Sequence, residues 1–272
     1  VTLADLDKFL AESANSLTKS IATGIKDLDK DLHGGFPRET LVTILAGTNV
    51  GKSMFCISLG AQALKAVDEN GNNMNYKVLY IPLEGRRDET IMRFASCLSS
   101  VEYGKLISGS LTPDEKNRIK EVQEKYTDRL LVRNMMDFNT SIEKLMAEVG
   151  EIHKKFQFDY LIVDYGQLLS AQATTEGLRF TMMLVFRGLA ALSRKYNCVV
   201  VSPVQATRQG QESQSVSFDR SKPQEKYPVL RSSDISEAFE IARVSGIIIS
   251  LNMTDDERNE GKLRVFLEKQ RH

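Results

Sequence analysis

The sequence predicts an α/β domain with a mostly parallel central sheet flanked by helices, and three observations predict it. The apolar run Leu41-Val42-Thr43-Ile44-Leu45 leads into AGTNVGKS, residues 46–53, and then into MFCISLGAQALKA, where Phe55, Ile57, Leu59, Ala63 and Leu64 recur at mainly helical spacing. Two further apolar runs, in DYLIVD at 159–164 and CVVVS at 198–202, read as strands buried on both faces. Helical patterns separate these runs, as strand-helix-strand crossovers require.

The first of these segments carries chemistry. Gly47 and Gly51 let the backbone turn its N–H groups inward around an anion, and the helix N-terminus adds partial positive charge. Lys52 would reach the outer phosphates of a nucleotide, and the Ser53 hydroxyl would ligate Mg²⁺. Ala46 stands where the usual GxxxxGK[ST] pattern begins with glycine. A GKS tripeptide alone is a weak signal, but the strand before it and the helix after it make it specific. A plain glycine turn would leave unexplained a lysine at a helix N-terminus, where cations are disfavoured.

Length and composition bound the reading. The 272 residues suffice for one large α/β domain, so a second full domain is not required. The chain starts at Val1 without Met and stops at His272 after a strand-like run, and it reads as a fragment. Lys plus Arg and Asp plus Glu are both 36, so any nucleic-acid binding must come from local charge or oligomeric geometry. Cys56, Cys97 and Cys198 lie in apolar segments without CxxC spacing and read as core residues in a reducing cytoplasm. No apolar run approaches membrane-spanning length and no signal peptide is visible, so a soluble intracellular chain with no membrane partner is expected.

The remaining elements follow in chain order. Residues 1–19 are expected to form an N-terminal linker helix, with Leu3, Leu6, Phe9 and Leu10 on one face, and residues 20–272 the ATPase domain. The helix's apolar face needs a partner, either its own domain or a neighbouring subunit. STGIKDLDKDLHGGFPRETL brings a Gly34-Gly35 turn and Pro37 before the first strand. KVLYIPLEGRR ends a short strand in Glu84, placed either to act as general base for an attacking water or simply to start the next helix. Residues 87–99 are helical in spacing. Thr112, Pro113 and Glu115 open another helix with a capping box. RLLVR at 129–133 is strand-like and Ser141 to Phe156 an amphipathic helix. The run ending in Asp164 delivers one carboxylate to the edge of the sheet, where a P-loop enzyme needs its second magnesium-side group. A helix over 177–196 precedes CVVVSPVQATR, with Gln205 and Arg208 at its polar end. The longest punctuated stretch, 209–233, is too long for an ordinary connection and reads as functional or disordered. A helix at 234–243, a strand at 246–251, an acidic turn and the strand KLRVFLEKQRH complete the chain.

In this order the segments resemble the C-terminal motor domain of DnaB-type replicative helicases, a RecA-like P-loop NTPase fold, along nearly the whole chain. STGIKDLDKDLHGGF is similar to the family's entry segment and AGTNVGKS to its P-loop. IPLEGRRDETIMRF resembles its SLE strand and following helix, and LIVDYGQLL its IDYLQL strand. VVVSPVQATR resembles SQLxR with two residues inserted before Gln205, and KQRH resembles the terminal KxRxG, cut before its glycine. LRSSDISEAFEIARVSGIIISL is similar to the LRxSxxIExxADxV block but lacks its acidic pattern.

The resemblance implies ATP and Mg²⁺ as cofactors. Ala46, Gly47, Thr48, Asn49, Val50, Gly51, Lys52 and Ser53 would hold the triphosphate, and Ser53 and Asp164 the magnesium. Glu84 would orient or deprotonate water, and Gln205 would sense the γ-phosphate. Lys269 and Arg271 would act on a neighbour's ATP, as an arginine finger does, so a monomer would lack a complete site. Implied partners are single-stranded DNA, further copies of the chain in a hexamer, a primase and a helicase loader, in the cytoplasm of a bacterial cell, whether the chain is bacterial or phage-encoded. Arg208, Arg220 and Lys222 are the candidate contacts to the DNA backbone. Two other functions compete with a DNA-unwinding motor: a RecA- or RadA-like recombination or repair ATPase on single-stranded DNA, and a KaiC-like ATPase without DNA.

Overall fold

The computed structural model describes residues 20–135, 140–171, 177–207, 229–234 and 238–271, and for Leu178, Ala238 and Phe239 the backbone alone. The expected linker helix over 1–19 and the candidate DNA contacts Arg208, Arg220 and Lys222 lie outside the described residues.

Seven strands form one sheet in the order β3-β2-β4-β5-β1-β6-β7. They are β1 (Leu41–Ala46), β2 (Val78–Pro82), β3 (Leu130–Val132), β4 (Tyr160–Asp164), β5 (Val199–Gln205), β6 (Ile247–Asn252) and β7 (Arg264–Gln270). All neighbouring pairs are parallel except β6 and β7, which are antiparallel. The helices are α1 (Lys26–Asp31), α2 (Lys52–Lys65), α3 (Arg87–Ser99), α4 (Tyr103–Ser108), α5 (Pro113–Tyr126), α6 (Ile142–Lys155), α7 (Leu178–Lys195), α8 (Ala238–Val244) and α9 (Asp255–Asn259). None of them is long and apolar enough to cross a membrane.

Both faces of the sheet are buried, and the strand period of two sorts its side chains between them. From β1, Val42, Ile44 and Ala46 pack with α2, α3 and α5, while Leu41 and Leu45 pack with α6, α7 and α8. In β4, Tyr160 and Ile162 face the first layer and Leu161 and Val163 the second. This double burial explains why the strands read as unbroken apolar runs. The expected capping box of α5 is present, with the Glu115 amide donating to Thr112 Oγ1 and the Thr112 amide to Glu115 Oε2. The segment expected as an acidic turn is instead the short helix α9, started by a second capping box between Thr254 and Glu257. Of the cysteines, Cys56 and Cys198 are buried and Cys97 half-buried, and all three are free thiols.

Two backbone features fix the entry to the sheet. Ile21 and Phe36 exchange hydrogen bonds of 2.9 Å in both directions just before β1. Gly35, at φ 121°, lies so close to that bridge that an added Cβ would stand 2.3 Å from the Ile21 carbonyl oxygen. Gly71, at φ 82°, has no atom within 4 Å of such a Cβ. Replacing Gly35 by Ala should therefore cost about 3 kcal/mol of stability, from backbone strain plus a clash that only the main chain can relieve. Replacing Gly71 by Ala should cost only about 1 kcal/mol, the conformational part alone. Denaturant titrations of the two variants check this, and equal losses would contradict the close approach at Gly35.

Candidate functional site

The candidate site lies at the edge of the sheet where the parallel strands end. β1 finishes at Ala46, and the chain turns through residues 47–51 into α2. The turn is left-handed at Asn49 (φ 59°) and at Gly51 (φ 95°), which is the N-cap of α2. An added Cβ at Gly51 would meet nothing within 4 Å, so it is the backbone conformation that calls for glycine there. No side chain caps α2 and its first turn holds no acidic residue. Its leading N–H groups are left for an outside acceptor. Beside them opens a cleft of about 320 Å³ lined by Lys52, Ser53, Glu84, Arg93, Tyr165 and Gln205 as well as the loop backbone.

Lys52 sits in this cleft between two carboxylates. Burial lowers its pKa, while Asp164 and Glu84 oppose that shift. Its Nζ is 5.7 Å from the centre of the Tyr165 ring. Asp164, the last residue of β4, is 5% exposed. One of its oxygens, Oδ2, accepts a 2.5 Å hydrogen bond from the Tyr80 hydroxyl, and the other, Oδ1, is buried with no protein partner. Burial pushes the Tyr80 phenol well above its usual range, with Asp164 adding to the shift, so it remains a neutral donor. A buried, half-satisfied carboxylate is costly unless a cation faces it. Among the described residues no three His, Cys, Asp or Glu side chains converge on one point. The orphaned Asp164 oxygen and the Ser53 hydroxyl are the groups present that could hold a magnesium ion.

Glu84 lies two residues beyond β2 and is exposed. The Leu83 amide donates to the Asp164 carbonyl at 2.7 Å, which ties the Glu84 loop to the tip of β4. Gln205 ends β5 directly opposite Ala46. The two residues that separate Ser202 from Gln205 form no bulge: Pro203 and Val204 pair regularly with Ile44 and Leu45. Pro203 has no N–H, and the β4 to β5 ladder stops at Ile162 and Val201, just short of it. Past the end of that ladder the Gln205 amide donates to Gln167 Oε1 at 2.7 Å, and on the β1 side Gln205 Nε2 donates to Thr48 Oγ1 at 2.7 Å. The structure thus brings residues 46–53, Glu84, Asp164 and Gln205 together.

Lys269 and Arg271 lie elsewhere. Because β7 runs back against β6, Gln270 pairs with Ile247, and the Arg271 amide donates to the Gly246 carbonyl at 3.1 Å. Gly246 in turn donates to Leu41, at the start of β1. The phosphate loop follows the other end of that strand, roughly 17 Å away at about 3.3 Å per residue. Arg271 is exposed. Lys269 turns its Nζ onto the carbonyls of Ala242 and, at 2.8 Å, Ser245 at the C-terminal end of α8. Burial, with a smaller push from Arg271, lowers its pKa to about 8.

Three contributors were not picked out from sequence. Tyr80 is one aromatic in an apolar strand and reads as core. Gln167 follows Asp164 in a stretch whose only legible function is the carboxylate. Arg258, on α9, donates to the Asn49 carbonyl at 2.9 Å and pins the left-handed turn of the loop from a segment 209 residues away in sequence, where no local pattern announces it.

The family model for the DnaB-like helicase C-terminal domain matches residues 20–272. Among curated proteins, the replicative DNA helicase DnaB of Geobacillus stearothermophilus is 23% identical over 93% of this chain and 52% of its own length. That of Haemophilus influenzae is 24% identical over 100% of this chain and 55% of its own length. The chain therefore spans about half the length of the curated relatives it matches. Among solved structures, an ATPase domain superposes with a TM-score of 0.76 at 18% identity, over 99% of this chain and 89% of that one. A DnaB-like replicative helicase, solved in a study of its interactions with primase, gives 0.76 at 19% identity, over 100% of this chain and 62% of that one. At such identities the superpositions establish the fold.

The Arg258 contact yields a prediction. In Arg258→Ala the turn at Asn49 loses a charge-assisted hydrogen bond at an exposed position, so nucleotide affinity should fall about threefold to tenfold. Titration with a fluorescent ATP analogue measures it, and an unchanged affinity would show that the loop holds its shape without Arg258.

Proposed function

The chain belongs to the family of DnaB-like helicase C-terminal domains, and from that premise we propose that it is an ATP-driven motor that moves along single-stranded DNA and unwinds duplex DNA as a hexameric ring. The observation that carries the reading is the meeting, at one edge of the sheet, of an uncapped helix N-terminus with Lys52, Ser53, Asp164, Glu84 and Gln205.

The chemistry follows from that arrangement. The N–H groups at the start of α2 and the Lys52 ammonium neutralise the outer phosphates of ATP. Ser53 and Asp164 would hold a magnesium ion, which when bound would supply charge neutralisation of the phosphates. Glu84, exposed in the cleft at the tip of β2, orients the attacking water and accepts its proton. Gln205 touches both the loop, through Thr48, and the β4 edge, through Gln167, so it is placed to pass a change at the γ-phosphate to the strands beside it. Arg271, exposed at the opposite edge, serves the site of a neighbouring copy. Its distance from its own phosphate loop supports that role, since no side chain spans the length of β1. Lys269, expected to act with Arg271 on a neighbour's ATP, has its ammonium bound to the end of α8 and is proposed instead to steady the strand that carries Arg271. Arg208, Arg220 and Lys222 are proposed to meet the DNA backbone, contacts that carry charge and no base information. A primase and a loader are the further partners proposed for the complete protein.

The proposal is tested on a forked DNA duplex with ATP and Mg²⁺. The unaltered chain should hydrolyse ATP faster when single-stranded DNA is added and should separate the fork. Glu84→Gln should bind ATP within about threefold of the unaltered chain and lose about a hundredfold or more in turnover, because the amide keeps the shape and cannot take a proton. DNA-stimulated hydrolysis with no strand separation would favour a recombination-type ATPase. Equal losses of binding and turnover in Glu84→Gln would make that carboxylate structural.

A further inference from the structure

The two oxygens of Asp164 are treated differently by the protein. Oδ2 is held by the Tyr80 hydroxyl at 2.5 Å, and Oδ1 is buried without a partner. Tyr80 comes from β2, and the register sets it opposite Ile162, two residues before Asp164 on the same face of the sheet. Its hydroxyl therefore reaches along the strand direction to the carboxylate at the tip. The ring cannot easily move away. Tyr80 is 1% exposed, its edge meets Phe94 at 5.5 Å between centroids, and β2 is paired on both sides.

We infer that Tyr80 is a positioning residue for the metal site: by holding Oδ2 it fixes the rotation of the Asp164 carboxylate, so that Oδ1 is the oxygen presented to the divalent cation, or to its water, that accompanies the nucleotide. The inference rests on the reading of Asp164 as the metal-side carboxylate. Without the hydroxyl, the two oxygens would be equivalent and the carboxylate free to turn in its socket. With it, one oxygen is committed to the protein and one remains, which suits a cation that takes a single carboxylate oxygen and keeps several waters. A phenol at this place is the outer partner of a ligating carboxylate, and loss of such partners typically weakens metal binding by about tenfold to a hundredfold.

The test uses the full chain, a slowly hydrolysed fluorescent ATP analogue and MgCl₂. Tyr80→Phe keeps the ring and its contact with Phe94 and removes only the hydroxyl. Two quantities are read: the affinity for the analogue in EDTA, and the magnesium concentration that gives half of the metal-dependent gain in binding. Tyr80→Phe should leave the first within about twofold and raise the second about tenfold or more. Asp164→Asn, measured in parallel, should raise the second at least as far. If only Asp164→Asn responds, Asp164 faces the metal and Tyr80 does not position it, which overturns the inference alone. If neither responds, the metal role of Asp164 falls and the inference with it. If Tyr80→Phe weakens both quantities equally, the hydroxyl is structural and the inference is again overturned.

Discussion

The parallel register of β1 between β5 and β6 is the constraint on which the rest of the molecule depends. Strands that run the same way finish at the same edge, so one edge collects Ala46, Asp164, Gln205 and the loop carrying Glu84 without any residue having to reach far. Only a double-sided core can bury such a sheet, and the helices that make the core must start at the edge where the strands stop. The phosphate loop is the connection this geometry forces between β1 and α2. β7 alone reverses direction, and the reversal sends Arg271 to the far edge. One register thus explains why most of the candidate groups share a cleft and why Lys269 and Arg271 do not join them.

Within the cleft, electrostatics rather than shape sets what each group can do. Burial lowers the Lys52 pKa and the charges of Asp164 and Glu84 oppose that shift, so before a ligand arrives one lysine faces two carboxylates. The triphosphate would bring more negative charge than Lys52 can meet, and a divalent cation beside Asp164 would correct the excess. The protein side of that correction is already built. Asp164 is desolvated, one oxygen is satisfied and one is not. Two neutral side chains join the loop to the sheet without adding charge: Gln167 accepts from the Gln205 amide, and the Gln205 side chain donates to Thr48.

The sheet, the phosphate loop and the helix starts were legible in the sequence because each leaves a local mark: an unbroken apolar run, a GKS tripeptide, a Thr-Pro-x-Glu box. Long-range geometry leaves no such mark. The direction of β7 cannot be read from its residues, since an edge strand has the same period whether it runs with or against its neighbour. Tyr80 looks like any core aromatic until the register shows what stands two residues further on. Lys269 and Arg271 read as an equivalent basic pair, but alternate positions before and after the end of a strand give one a buried helix end and the other solvent. Pro203 argues from sequence against a central strand, and is tolerated because the partner strand ends beside it. Arg258 is reached only through the fold.

The claim most exposed to experiment is that each site is completed by a second copy of the chain. Arg271→Ala subunits keep an intact phosphate loop and lack the arginine. Lys52→Ala subunits keep the arginine and lack a working loop. Each should be inactive alone, the first because an arginine finger contributes on the order of 10³-fold or more to rate. Mixed and allowed to assemble, they should regain part of the ATPase activity, since an Arg271→Ala loop can then receive the arginine of a Lys52→Ala neighbour. ATPase that stays absent in assemblies shown to contain both subunits would contradict the account.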